Sequence, residues 1–244
     1  MAEFKKLTNQ IYLIEADTQY ELCMTFIRLQ EYYESPFEDI RGKNFTLEDY
    51  MDRYAKENGN FTYCEDWNGF NVPGEVVRKF FSTKHTEFMR NGASWKEKWL
   101  FTQLIDNNIL RNEEEFYLLG THKEEKEEDV LAHEYAHAFY HLDEKYRQAQ
   151  NEWLDCLPEK QKKQIRKALK EEGYDKSVYW DEAQAYISTS HRSDLEDIFE
   201  SEKWPPLVVH IEESICENYK IKRRMIDPDW SLPNRKIECP HTKT

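Results

Sequence analysis

His133-Glu134-Tyr135-Ala136-His137 is the stretch whose residue types and spacing could do chemistry. At about 3.6 residues per helical turn, residues four apart share one face, so His133 and His137 can aim two imidazole nitrogens at one point. Two imidazoles so placed are half of a zinc site. Glu134 is rotated by roughly 100° from His133, outside that pair of bonds but within reach of a water at the metal. A general base for metal-assisted hydrolysis stands there.

The element that must position these residues is a helical pattern running from near Glu128 past Tyr146. Leu131, Tyr135, Ala138, Phe139, Leu142, Tyr146 and Ala149 follow one another at spacings of three and four and form one apolar stripe. His133 and His137 fall off the stripe, so the pattern sends them into a cleft or into water. A merely solvated histidine face is the competing reading.

A catalytic zinc commonly takes three protein ligands and a water, so one further group must come from downstream. Asp143 has the spacing of an HExxHxxGxxD pattern, but Tyr140 stands where a glycine would let the chain turn back. His141 shares a face with His137 one turn along, too far for the same tetrahedron. In the helical pattern Val178 to Tyr186, Asp181 and Gln184 set a polar face, whereas Glu182 falls opposite, with Val178, Tyr179 and Tyr186. Burying an unpaired carboxylate costs several kcal/mol, and a metal would supply the partner. Glu182 is therefore the expected third ligand, Asp181 the fallback, and an ordinary salt bridge the bland alternative.

HEYAH on one helix, followed by a Glu on a second in Trp180-Asp181-Glu182-Ala183-Gln184-Ala185-Tyr186, resembles the gluzincin branch of the zincin metallopeptidases. The likeness covers mainly Glu115 to Ser190. It implies a Zn2+ cofactor held by His133, His137 and Glu182, Glu134 as base and proton shuttle, a peptide or protein substrate, and a strand near Phe116 to Leu119 that holds the substrate along an exposed edge. Many members carry an Asp four residues after the ligand Glu to orient a zinc histidine. Here that position is Tyr186, so either its hydroxyl does this work or Glu182 is not the ligand. Tyr186, His191 and His210 are the nearest oxyanion donors in sequence.

The rest of the chain bounds these expectations. A formal charge of −14 over 244 residues argues against nucleic acid as a partner. No run is apolar enough for a secretory or membrane segment, and five scattered cysteines without a CxxC pair indicate neither a disulfide framework nor a sulfur zinc knuckle, so a cytoplasmic setting is expected. Few Gly and Pro and many aromatic residues predict an ordered, helix-rich chain. Strands are expected at Gln10 to Ala16 and Glu115 to Gly120. Helices are expected after Thr18, Thr46 and Ser94, from Pro158 to Glu172 as a solvated element, from Ser177 to Ser188, from Ser193 to Phe199 and after Pro206. Phe61 to Gly74 reads as an aromatic loop that covers the core or lines a pocket.

The expected fold is α+β, predominantly helical, a zincin-like core with a small β-sheet next to the HExxH helix. Residues 1–110 form a mostly helical subdomain, 111–222 the metal-binding core and helical C-terminal part, and 223–244 an irregular tail. The expected function is a zinc metallopeptidase. A catalytically inactive zincin-like binding or regulatory protein is the alternative, and a zinc hydrolase of a non-peptide amide a third.

Overall fold

The computed structural model describes residues 2–82, 92–124, 127–199 and 204–230. It divides into two units, Met1–Glu127 and Glu128–Thr244.

In the first unit, Ile11–Ala16 is buried at every position but Tyr12 and forms β2, paired antiparallel with β1, Glu3–Lys6. The β1 strand is short and charged, and its pattern gave no signal in the sequence. Tyr117–His122, β4, lies parallel to β2, and Phe70–Pro73, β3, pairs antiparallel with β4, giving the order β1-β2-β4-β3. The exposed edge expected at Phe116 to Leu119 is therefore absent. β4 is bonded on both sides and wholly buried, as its nearly unbroken apolar run requires of a central strand.

Helix Gln19–Glu34, capped by Thr18 Oγ1 accepting from Glu21 N at 3.1 Å, packs on this sheet. Phe26 stacks on Phe70 at 5.2 Å between centroids. A Cβ at Gly120 in β4 would stand 2.7 Å from Phe26 Cε2 and 2.9 Å from Leu22 Cδ1. Gly120→Ala is accordingly expected to lower unfolding free energy by about 1–3 kcal/mol, read in a denaturant titration, because the helix must be pushed off the sheet.

The aromatic stretch is a core cover rather than a pocket wall. It holds the short helix Tyr63–Asp66 and β3, with Tyr63 edge-on to Tyr50 at 5.6 Å and to Tyr54 at 5.4 Å. The helix Trp95–Asp106 opens with the full Ser94/Glu97 capping box, and Glu97 also takes a buried ion pair from Arg28 at 2.6 Å.

The elements of the second unit among the described residues are all helices: Glu127–Leu142, which starts on the last residue of the first unit, Glu144–Asp155, Glu159–Glu171, Tyr179–Thr189, Arg192–Ile198 and Pro206–Ile226. The long helix expected through Tyr146 is two helices. Asp143, at φ −119° and ψ 101°, leaves the helical region, and its carboxylate accepts from Lys145 N at 2.9 Å and Tyr146 N at 3.1 Å. An N-cap oxygen that satisfies two orphan amides makes this break favourable.

Glu159–Glu171 is not a purely solvated element. Its Ile165 and Leu169 are buried with Leu154, Ile187, Phe199 and Ile211 in this unit's core. Helical structure also runs past Arg223 to Ile226, so the irregular tail does not begin at 223; residues 231–244, Cys239 among them, lie outside the described residues. Cys23, Cys64, Cys156 and Cys216 are free thiols. No helix among the described residues is long and apolar enough to cross a membrane.

Candidate metal centre

The four-residue spacing does what helical geometry requires of it. His133 and His137 project from neighbouring turns of Glu127–Leu142, with their Nε2 atoms 3.2 Å apart. The helix Tyr179–Thr189 brings Glu182 to the same point. Glu182 Oε2 lies 3.8 Å from His133 Nε2 and 3.7 Å from His137 Nε2.

The circle through these three atoms has a radius of about 2.1 Å, the length of a zinc bond to imidazole nitrogen or carboxylate oxygen. Among the described residues, His133, His137 and Glu182 are the cluster of histidine and acid donors compact enough to hold a metal ion. Glu182 Oε2 is buried and accepts no hydrogen bond from the protein. An acidic oxygen that faces two imidazole nitrogens at 3.7 and 3.8 Å is an arrangement that a divalent ion would satisfy, so the residues present fit the ion. Two imidazoles and a carboxylate are also a donor set that catalytic zinc takes.

Of the cleft and the open water that the pattern leaves as alternatives, burial excludes open water. His137 is 2% exposed and the His133 side chain 14%. Burial alone would lower the His137 pKa, but the carboxylates of Asp181, Glu182 and Glu134 and the Asp181 hydrogen bond outweigh it and push the imidazole up to about 10. Burial likewise raises Glu182, and His137, His133 and the Tyr174 hydroxyl together overcome it and hold the carboxyl below its ordinary value.

Asp181, the fallback candidate, is not among the three clustered donors and braces His137 instead. Its Oδ1 is 2.9 Å from His137 Nδ1, which must donate to it, leaving Nε2 directed at the donor triangle. The carboxylate that orients His137 is thus that of Asp181, the residue before Glu182, and not a group at the position of Tyr186. The Tyr186 ring packs edge-on against His133 at 4.8 Å, and its hydroxyl is 3.3 Å from that of Tyr174. Glu134 is buried, and its carboxylate acts electrostatically on both His137 and Tyr174.

The other candidates stand elsewhere. Asp143 caps the following helix and is hydrogen-bonded by Lys222 Nζ. The carbonyl of His141 accepts from Arg147 Nη1 at 3.0 Å. His191 is the N-cap of Arg192–Ile198, and His210 meets the Trp153 ring at 5.7 Å.

Three contributors were invisible in the sequence: Tyr174, Gln184 and Tyr146. Gln184 belongs to the polar face of its helix, yet it is fully buried and donates to Asp181 Oδ1 at 3.1 Å. The adjacent acids Asp181-Glu182 were the one available signal, since two carboxylates in a half-apolar helix cannot both be buried without partners. Compared with protein-family models, with curated proteins and with solved structures, the chain matches none.

Proposed function

We propose that this protein is a zinc-dependent hydrolase, a metallopeptidase that binds zinc through His133, His137 and Glu182 and uses Glu134 as general base. The observation that carries the proposal is the triangle of donor atoms with the bond radius of zinc. When bound, zinc supplies a Lewis acid that polarises a carbonyl and acidifies water. Glu134 takes the proton from the attacking water and returns it to the leaving amine. Asp181 keeps the His137 ring in one orientation, and the rings of Tyr186 and His137 confine His133. The four free thiols are in keeping with a reducing compartment, and the cytoplasm is the setting proposed.

One observation favours a second reading. With both sides of β4 paired, a peptide cannot be held there by strand addition, whereas a non-peptide amide needs no such edge. A panel of peptides and of N-acyl amides, assayed before chelator, after it and after zinc is returned, decides among the readings. Peptide hydrolysis lost to chelator and restored by zinc is the expected result. Turnover of amides alone selects the second reading, and a zinc-loaded protein that turns over neither class sinks both in favour of a binding or regulatory role.

A further inference from the structure

Four polar side chains are sunk in the core of the second unit where apolar ones would pack at less cost: Gln150, Gln184 and Ser188 are 0% exposed and Tyr146 is 6% exposed. Three of them form a continuous chain that ends at the metal centre. Gln150 Nε2 donates to the Tyr146 hydroxyl at 2.7 Å, that hydroxyl donates to Gln184 Oε1 at 3.0 Å, and Gln184 Nε2 donates to Asp181 Oδ1 at 3.1 Å.

The direction of every bond follows from the last. An ionised carboxylate only accepts, so Gln184 must turn its amide nitrogen to Asp181 and its oxygen to Tyr146, and Tyr146 must then accept from Gln150. The chain is anchored at both ends. Gln184 Nε2 also donates at 3.2 Å to the carbonyl of Ala136, the residue before His137, and Gln150 Nε2 donates at 3.3 Å to the carbonyl of Ile215 in the helix Pro206–Ile226. Four helices are thereby tied to one carboxylate oxygen.

We infer that Gln184, Tyr146 and Gln150 are positioning residues: a buried relay that holds Asp181 on the Nδ1–H of His137 and so aims His137 Nε2 at the ion. The affinity part of this inference rests on the zinc site proposed above; the part concerning Nδ1–H does not, because Nδ1 carries a proton whether Nε2 is protonated or ligates. A fully satisfied buried network fixes one arrangement of the groups it joins, and partners behind a metal histidine typically change affinity by about 10–100-fold when removed.

The test uses the full chain with Tyr146→Phe and Gln184→Met, and Ile165→Val as a core variant that lowers stability away from the relay. Two quantities are read well below each melting temperature: solvent exchange of the His137 Nδ1–H proton by NMR on metal-free protein, and zinc affinity by chelator competition. Exchange at least about tenfold faster and zinc bound about 10–100-fold more weakly in both relay variants, with Ile165→Val like wild type, is the expected outcome. Wild-type exchange and affinity in the relay variants overturns the inference, as does an equal loss in Ile165→Val. Should Gln184→Met not fold, Tyr146→Phe decides alone, since it removes one oxygen. If wild-type protein binds no zinc, the metal reading falls while the exchange measurement still decides the relay.

Discussion

Glu182→Ala and His137→Ala are expected to come through purification and dialysis without stoichiometric zinc, while wild-type protein retains one ion per chain. A structural zinc is worth roughly 10–16 kcal/mol over four bonds, so deleting one donor removes about 3 kcal/mol, or about a hundredfold in affinity. Glu182 is the more telling substitution, because it separates a metal ligand from an ordinary ion-pair partner. A carboxylate present only for a salt bridge would leave zinc content unchanged when removed.

The same site makes a prediction about protons. His137, pushed up to about 10, is charged at neutral pH without metal. A raised histidine pKa contributes stability that is fully present below the ordinary value of about 6.5 and is lost as pH rises through about 10. Zinc must displace that proton, so its affinity should rise by about tenfold per pH unit across this window, and the heat of binding should depend on the buffer by about one proton per ion. Zinc content equal to wild type in Glu182→Ala, with the fold checked by circular dichroism, would remove the centre from consideration.

Glu134→Gln is expected to keep its zinc and lose turnover by about 10²–10⁴-fold. Glutamine has nearly the same shape, which matters at a position only 6% exposed, but it cannot accept a proton from water. Glu134 is not one of the three donors at the triangle, so the loss should fall on kcat and not on metal content. The measurement is hydrolysis of the best substrate from the panel, beside zinc content on the same preparation. Normal hydrolysis in a zinc-loaded variant would show that another group moves the proton.

The parts of the centre legible from sequence are those fixed by a single helix. The i, i+4 rule alone places His133 and His137 together, and the burial cost of a lone carboxylate picks Glu182 out of its helix. What stayed illegible depends on how two helices meet. That Asp181 braces a histidine is set by side-chain reach across that contact, about which local periodicity says nothing. Gln184 was misplaced for the same reason, since a polar residue looks outward on a wheel until a buried carboxylate gives it something to bond. The break at Leu142 was hidden because Tyr146 continues the apolar spacing into the next helix; only Asp143, read as a cap, could have revealed it. In the sheet, β1 is charged and β3 ends on proline, so neither showed strand alternation, and without them β4 could not be recognised as central.

Asp181 and Glu182 are consecutive residues, and one stands at the donor triangle while the other steadies His137. A slide of their helix by one position would put Trp180 and Asp181, or Glu182 and Ala183, at the two posts, leaving one post without a carboxylate and the other with an acid of the wrong length. The centre should therefore behave as a latch with two settings, assembled or open, and not as a grip that loosens by degrees.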